Sequence, residues 1–126
     1  MGLHPLLSRP LANMNIDMPT EIQAKAWAPI TKNKTTLLSA ETGTGKTLAY
    51  ALPIVQRYIE RGSAFPRFTT LCLVPTRELA IQVQAVFSSI LHSTLGDKTH
   101  QHVHCIVKGI ENSTTKKQVC SLVLNP

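Results

Sequence analysis

The stretch LLSAETGTGKTLAYALP, Leu37 to Pro53, decides the fold of this chain. Apolar residues lead into a small polar turn with two glycines, and the turn is followed by Lys46, Thr47 and an apolar segment. A strand, a Gly- and Thr-rich turn and then a helix form a phosphate cradle, because glycines let backbone N–H groups close around an anion at the positive end of the helix. The spacing fits G-x-x-x-x-G-K-[ST], except that Ala40 replaces the first glycine.

The residues of this turn have distinct chemical roles under that interpretation. Gly43 and Gly45 supply a backbone that can wrap an anion closely. Lys46 places a cation on the β- and γ-phosphates, and Thr47 offers a hydroxyl to Mg²⁺. The alternative is a chance glycine-rich turn, but the strand expected before it and the helix expected after it favour the phosphate site.

Hydrophobic periodicity predicts short strands that alternate with helices. Helices are expected over residues 19–30, 46–61, 77–91 and 113–121, and strands over 35–40, 69–75, 102–109 and 121–126. The second helix contains Pro53, but its apolar pattern continues to Ile59, which predicts a kink rather than a break. Such alternation is typical of right-handed β-α-β units. The sequence therefore predicts an α/β chain with a mostly parallel sheet and flanking helices.

Length and composition are those of one globular domain. The 126 residues are 43% hydrophobic and 16% charged, which is enough apolar content for one core. No apolar run approaches the ~18 residues that a membrane helix needs, so no membrane partner is expected.

The net charge of +6 is spread evenly along the sequence. It favours a polyanionic partner, with ordinary solubility as the alternative. Three cysteines lie in apolar segments and are expected to be reduced, which indicates an intracellular protein.

Two further stretches decide which kind of phosphate-binding chain this is. PTEIQ (Pro19 to Gln23) lies before the turn, and PTRELA (Pro75 to Ala80) ends the next expected strand. Together with AETGTGKT (Ala40 to Thr47), they resemble the Q motif, motif Ia and motif I of the DEAD-box ATP-dependent RNA helicases, in the family's order and at similar spacing. The resemblance covers nearly the whole chain. It implies that residues 1–126 form an incomplete first RecA-like lobe of the P-loop NTPase fold, truncated after about four strands, with the second lobe absent.

The resemblance also assigns roles to individual residues. Gln23 would hydrogen-bond the adenine edge, because an amide offers a donor and an acceptor together; the alternative is a surface glutamine on a helix. Arg77 would place a cation against the RNA backbone; the alternative is a helix-surface charge or an ion pair with Glu78. The implied ATP-binding residues are Gln23, Thr42, Gly43, Thr44, Gly45, Lys46 and Thr47, with Mg²⁺ on Thr47. The implied RNA-binding residues are Pro75, Thr76, Arg77 and Gly109.

Parts of the family pattern have no counterpart in this sequence. No Phe, Tyr or Trp precedes Trp27, so the aromatic residue that stacks on adenine in the family is either lost or lies before the first residue. Lys108 and Gly109 stand where the family has a Gly-Gly pair. The seven acidic residues include no adjacent pair. The D-E-A-D motif, which supplies the Mg²⁺-holding aspartate and the catalytic glutamate, is therefore absent.

The resemblance implies the ATP-binding portion of an ATP-dependent RNA helicase, with ATP and Mg²⁺ as cofactors and RNA as partner. Alone, the chain is expected to lack efficient ATP hydrolysis and unwinding, because Lys46 and Thr47 contribute to an incomplete catalytic set. The alternative is a non-catalytic docking or structural fragment that binds a protein or RNA partner; PTEIQ and PTRELA argue against a small kinase. A monomer is expected, in the nucleus, cytoplasm or mitochondrion. Glu41 favours the mitochondrion, since organelle-type members carry glutamate at this position of the turn.

Overall fold

The computed structural model describes residues 2–61, 70–96, 103–106 and 120–124. A short 3-10 helix (Pro5–Leu7) leads into α1 (Ser8–Asn13), and α2 (Glu21–Thr31) and α3 (Lys46–Arg61) follow. The remaining described elements are β1 (Thr70–Val74), α4 (Arg77–Leu95), β2 (Val103–Ile106) and β3 (Cys120–Leu124). The described residues therefore combine helices and strands, as the sequence predicts, and more of them are in helices than in strands.

The three longer helices lie where hydrophobic periodicity places them. α3 has its predicted bounds although Pro53 lies inside it and lacks the N–H that would bond to the preceding turn. α2 begins after Thr20, which forms a capping box with Gln23. α4 continues to Leu95, four residues beyond its predicted end. In the part of the chain that the structure describes, no helix is long and apolar enough to cross a membrane.

The sheet has the strand order β1-β3-β2, and both strand pairs are antiparallel. The prediction of a mostly parallel sheet is therefore wrong for the described strands. Residues 120–121, predicted to end a helix over 113–121, begin β3 instead; the rest of that helix lies outside the described residues. Periodicity identifies apolar strands but not their direction. An antiparallel neighbour needs only a chain reversal, whereas a parallel neighbour needs a crossover of about a dozen residues or more.

Residues 35–40, predicted as the strand before the glycine-rich turn, have no regular secondary structure. Leu37 is 94% exposed, so the segment lacks the burial on which that prediction depends. None of the described strands pairs with it. A segment whose backbone groups have no neighbouring strand to bond cannot be part of a sheet. Of the predicted strand, turn and helix, the structure contains the turn and the helix.

One hydrophobic core lies between α3, α4 and the N-terminal segment. Its fully buried members include Phe87, Ile90 and Leu91 of α4, Val55 of α3 and Leu7 of the 3-10 helix. Fully burying an apolar side chain of this size stabilises the folded chain by about 1.5–3 kcal/mol. The core therefore holds α3 in place, and with it the turn that precedes α3.

One face of the sheet is exposed and apolar. Leu71 and Leu73 of β1 are 62% and 64% exposed, and Ile106 of β2 is 58% exposed. The alternate residues Cys72 and Val74 are half-buried and pack against the core. The sheet thus has one face toward α4 and the core, and one face that no described residue covers.

Candidate functional site

The turn before α3 contains two glycines with positive φ. Gly43 has a φ of 84° and Gly45 a φ of 86°, a conformation that costs residues with a Cβ roughly 1–2 kcal/mol. A Cβ on Gly43 would meet no atom within 4 Å, whereas a Cβ on Gly45 would collide with Nε2 of Gln23. Backbone conformation alone therefore requires Gly43, while conformation and close packing both require Gly45.

α3 begins at Lys46, directly after the turn. The Ala49 N–H donates to the Gly45 carbonyl oxygen at 3.0 Å, so the helical bonding starts at the last residue of the turn. The first N–H groups of a helix have no partner within the helix, and the helix dipole adds positive potential there. The start of α3 is thus a suitable place for a phosphate group.

The Lys46 side chain folds back over the turn. Its ammonium group donates hydrogen bonds to the backbone carbonyl oxygens of Ala40 and Glu41. Thr44 adds a hydrogen bond inside the turn, from its hydroxyl to the Glu41 carbonyl oxygen at 2.8 Å. The cation predicted to contact phosphates therefore lies at the turn, where anionic oxygens could replace the carbonyl oxygens as its acceptors.

Gln23 connects α2 to the turn. Its side chain is 5% exposed, so the alternative interpretation as a surface glutamine is wrong. Its amide nitrogen donates to the Gly45 carbonyl oxygen at 3.3 Å, and its amide oxygen accepts from the Thr20 N–H at 3.0 Å. The Thr20 hydroxyl donates to the Thr44 carbonyl oxygen at 2.9 Å. The structure therefore brings PTEIQ and the glycine-rich turn together through two hydrogen bonds.

A cavity lies beside Gln23 on the side of the N-terminal segment. Its volume is about 250 Å³, and most of its lining is apolar, including Trp27 of α2 and Leu48 of α3. Asp17 adds a carboxylate to the lining. An apolar cavity with a few polar groups is the usual form of a small-molecule site.

A second, open cleft has a volume of about 540 Å³. Lys46, Thr47 and Tyr50 of α3 line it together with Leu79 of α4. Lys34 adds a further cation to the lining. The cleft therefore combines two ammonium groups with hydroxyl groups, which suits an anion and its counter-cation.

Tyr50 is a polar residue of this cleft that sequence reasoning missed. Its side chain lies near those of Thr47 and Cys72. Burial raises the pKa of Tyr50 above its ordinary value, the neighbouring Cys72 raises it further, and the Thr47 hydrogen bond opposes the shift. The spacing of three residues from Thr47 was the available signal, because such residues are neighbours on a helix. Thr20 was missed too, although its position three residues before Gln23 matches the capping-box pattern.

The PTRELA stretch lies at the end of β1 and the beginning of α4. Thr76 caps α4, because its hydroxyl accepts a hydrogen bond from the Leu79 N–H at 3.2 Å. Pro75 and Thr76 therefore do form the turn that ends β1, whether or not they also bind RNA. Pro75, Thr76 and Arg77 are all exposed. Leu79 lines the cleft with Lys46 and Thr47, which places the predicted RNA-binding stretch next to the turn. Gly109 lies outside the described residues.

The residues present are compatible with Mg²⁺ held together with a nucleotide. Among the described residues there is no group of three His, Cys, Asp or Glu side chains that could hold a metal ion alone. Mg²⁺ does not need one, because it commonly keeps several waters and binds one or two protein oxygens plus substrate phosphates. The Thr47 hydroxyl at the start of α3 can supply one such oxygen.

Comparison with known proteins identifies the family. A model of the DEAD/DEAH box helicase family matches residues 20–125. The chain is 44% identical over 97 residues to the probable ATP-dependent RNA helicase DDX28 of Mus musculus, covering 71% of this chain and 18% of that protein. It is 43% identical over 88 residues to the probable ATP-dependent RNA helicase ddx27 of Dictyostelium discoideum, covering 67% of this chain and 11% of that protein.

A plant relative agrees with these two. The DEAD-box ATP-dependent RNA helicase 39 of Arabidopsis thaliana is 41% identical over 98 residues, covering 73% of this chain and 16% of that protein. The chain thus spans less than one fifth of the length of the three curated relatives described. The family match includes PTEIQ in part and both the glycine-rich turn and PTRELA in full. This chain belongs to the DEAD/DEAH box helicase family.

Proposed function

We propose that the chain is the ATP-binding portion of an ATP-dependent RNA helicase. The observation that carries the proposal is the pair of hydrogen bonds from Gln23 to Gly45 and from Thr20 to Thr44. These bonds join the segment expected to recognise a base to the turn expected to hold phosphates. The names of the relatives, all ATP-dependent RNA helicases, support the same activity for a protein that contains this chain.

Phosphate binding follows from the start of α3. The N–H groups of the first helical turn and the Lys46 ammonium are donors for phosphate oxygens. On nucleotide binding, the Lys46 ammonium would exchange its present acceptors, the carbonyl oxygens of Ala40 and Glu41, for phosphate oxygens of the nucleotide. Thr42, Gly43, Thr44 and Gly45 supply the backbone around them. Mg²⁺, when bound, neutralises phosphate charge, and Thr47 is the residue that would hold it.

Adenine recognition is proposed for Gln23. The amide has a donor and an acceptor on two atoms bonded to the same carbon, which matches the paired acceptor and donor of an adenine edge. Both atoms now bond to backbone groups of Gly45 and Thr20. Nucleotide binding at Gln23 would therefore alter the contacts that hold α2 to the turn. The apolar cavity lined by Trp27 and Leu48 offers contact area next to this amide.

RNA binding is proposed for Pro75, Thr76 and Arg77, with Gly109 as a further contact. Arg77 is an exposed cation at the beginning of α4, where it can contact phosphate without losing a buried partner. The chain's net charge of +6 favours a polyanion as the binding partner.

Family membership implies a RecA-like fold for the lobe. The mostly parallel arrangement of that fold remains a prediction for strands beyond the described pairs.

Hydrolysis by the 126 residues alone is not expected. Phosphoryl transfer requires positioned charge around the metal and the attacking water, and the sequence contains no adjacent pair of acidic residues. We propose that the chain binds nucleotide and that residues from elsewhere in a longer protein complete the catalytic set. A monomeric state and an intracellular compartment, with the mitochondrion favoured, also remain predictions.

A titration of the purified chain with fluorescent ADP and ATP in the presence of Mg²⁺ tests the proposal. Saturable binding that is lost in Lys46→Ala would support it. The matched control is Lys32→Ala, because Lys32 is an exposed lysine at the end of α2 and should leave the affinity unchanged. A chain that melts cooperatively but binds neither nucleotide would overturn the proposal.

A second candidate function is docking of a protein or RNA partner without nucleotide. The exposed apolar row of Leu71, Leu73 and Ile106 favours it, because large exposed apolar patches commonly mark interaction sites. The same titration separates the two candidates. If the chain only docks a partner, Lys46→Ala should not change the affinity for any ligand, because Lys46 lies at the turn and not on this sheet face.

A further inference from the structure

The C-terminal end of α2 is closed by a hydrogen-bonded motif that fixes Asn33 and Lys34. The Lys34 N–H donates to the Pro29 carbonyl oxygen at 2.9 Å. Asn33 has a φ of 61°, and its N–H donates to the Ile30 carbonyl oxygen at 3.0 Å. Two such bonds around a left-handed residue are a common way for a helix to end. The Thr36 hydroxyl also donates to the Lys34 carbonyl oxygen, at 2.8 Å, so the backbone that bears the Lys34 side chain is held from both sides.

Asn33 also orients a cation of α3. Its side-chain oxygen accepts a hydrogen bond from Nη1 of Arg57 at 2.6 Å, across 24 residues of sequence. A glycine would suit the backbone conformation of this position, but only a side chain with an oxygen can hold the guanidinium. Because the acceptor is an uncharged amide, Arg57 keeps its full positive charge, and this bond uses only one of its five N–H donors.

Two cations therefore flank Asn33: Lys34 follows it in the chain, and Arg57 is hydrogen-bonded to its side chain. Lys34 is exposed and Arg57 is half-buried. Neither side chain forms an ion pair with a carboxylate in the part of the chain that the structure describes. The sequence from residue 22 to residue 40 contains no acidic residue. Neighbouring cations without a carboxylate produce a local positive potential, which favours a polyanion.

We propose that Lys34 and Arg57 bind the phosphate backbone of RNA, as a contact separate from the PTRELA stretch, and that Asn33 is the positioning residue of this contact. The inference rests on the RNA binding in the proposed function and adds a second place for it. Arginine and lysine commonly contact phosphate oxygens, and these contacts carry no sequence preference. Lys34 lines the cleft that contains Lys46, whereas Arg57 is not part of that lining. One extended polyanion therefore fits the pair better than a nucleotide held within the cleft.

Arg57→Gln and Lys34→Gln test the contact, because each removes one positive charge and keeps a polar side chain. The affinity of the purified chain for a fluorescein-labelled single-stranded oligouridylate is measured by fluorescence anisotropy at a series of salt concentrations. Each substitution should reduce the slope of log affinity against log salt concentration by about 0.7, the value of one phosphate contact to a single strand. The gain in affinity on tenfold dilution of the salt should therefore be about fivefold smaller.

Lys25→Gln is the matched control for the loss of charge. It lowers the net charge by the same amount on the same helix, but Lys25 pairs with Glu21 at 2.5 Å. It should leave the slope nearly unchanged. If Lys25→Gln reduced the slope as much as Arg57→Gln does, net charge alone would attract the RNA, and the proposed contact would be overturned.

Asn33→Gly tests the positioning role. It keeps the net charge and suits the left-handed conformation, but it removes the acceptor of Arg57. The slope should fall although no charge is lost, and the affinity at low salt should weaken by about two- to tenfold, the range of one hydrogen bond. An unchanged slope in Asn33→Gly would overturn the role of Asn33.

Two further measurements separate this inference from the proposed function. The affinity for fluorescent ADP is measured in the same variants; a loss of ADP affinity without a change in the RNA slope would assign these cations to the nucleotide and overturn the proposal. RNA binding that depends on Arg77, in Arg77→Gln, but not on Lys34 or Arg57 would overturn the inference alone. An unmodified chain that binds no oligouridylate would overturn the RNA binding in the proposed function and this inference with it.

Discussion

The side-chain amide nitrogen of Gln23 donates a hydrogen bond to the backbone carbonyl oxygen of Gly45, at 3.3 Å and across 22 residues of sequence. The amide oxygen of the same side chain accepts from the Thr20 N–H. Because Gln23 is almost fully buried, this one side chain both begins α2 and fastens α2 to the turn before α3. The residue proposed to recognise adenine therefore also has a structural role, and the two roles can be separated by measuring stability without nucleotide.

Replacing Gln23 by alanine should lower the free energy of unfolding by about 1–3 kcal/mol. The substitution leaves the Thr20 N–H without its acceptor and removes one of the two donors to the Gly45 carbonyl oxygen, which keeps its hydrogen bond from the Ala49 N–H. Urea denaturation of the nucleotide-free chain measures the loss. Gln82→Ala is the matched control, because Gln82 is an exposed glutamine of α4 and should change stability by less than about 0.5 kcal/mol. Equal losses in the two variants would show that the hydrogen bonds of Gln23 do not stabilise the chain.

Alanine substitutions at the two glycines of the turn should differ in their cost. Both positions have positive φ, so each variant should lose roughly 1–2 kcal/mol through backbone strain. Gly45→Ala should lose more than Gly43→Ala, because only at Gly45 would the new Cβ collide with Nε2 of Gln23. The measurement is the free energy of unfolding of each variant in urea.

A double substitution isolates that collision. In a Gln23→Ala background the obstructing amide is gone, so Gly45→Ala should then cost about as much as Gly43→Ala does in the unmodified chain. The two effects should therefore be non-additive, as expected for residues in contact. Additive losses would mean that the excess cost at Gly45 has another origin.

The sequence predicts those parts of the structure that local chemistry determines. The bounds of α3 and most of α2 and α4 follow from apolar periodicity, and the positive φ of Gly43 and Gly45 follows from the need for a turn there. The burial of Gln23 does not follow from its residue type, since glutamine is usually exposed. Only the family resemblance gave it a role, and only the structure shows the carbonyl group that it contacts.

Features that depend on distant partners could not be predicted in the same way. The segment 35–40 reads as a buried strand, but whether it becomes one depends on a neighbouring strand that periodicity cannot supply. The antiparallel direction of β3 depends likewise on how the chain returns, not on the apolar residues within the strand. Tyr50 counts among the apolar positions of α3, and its contact with Cys72 requires knowing which helix face meets β1.

The N-terminal segment should be released when Gln56 loses its amide. Gln56 is nearly fully buried; its amide oxygen accepts from the His4 N–H, and its nitrogen donates to the Gly2 carbonyl oxygen, both at 2.8 Å. Gln56→Met keeps the approximate size and removes these bonds, so the free energy of unfolding should fall by about 1–3 kcal/mol. Hydrogen exchange measured by mass spectrometry should become faster over residues 2–7.

The control for this experiment is Gln82→Met on the exposed face of α4. It makes the same chemical change where the glutamine is solvent-exposed, and it should leave the exchange of residues 2–7 unchanged. If Gln56→Met lowered stability without faster exchange in that segment, the loss would come from packing in α3. The burial of Leu7 would then be sufficient to hold the N-terminal segment.

Alkaline pH should destabilise the chain through Cys72 first and Tyr50 afterwards. Burial raises the pKa of the Cys72 thiol, an effect that its contact with Tyr50 partly opposes. Burial and the nearby Cys72 raise the pKa of Tyr50. A folded-state pKa above the unfolded value means that the folded chain holds the proton more tightly. The stabilisation is therefore complete below the unfolded pKa, about 8.5 for cysteine and about 10 for tyrosine, and is lost as the pH rises through the folded pKa.

Thermal melts under reducing conditions between about pH 7 and pH 10.5 measure this dependence. Tm should fall from about pH 8.5 upward in the unmodified chain, and the early part of the fall should be shallower in Cys72→Ala. If Cys72→Ala instead followed the unmodified chain over the whole pH range, the loss of stability at alkaline pH would not come from the buried Cys72 thiol, and the raised pKa of that group would have no effect on folding.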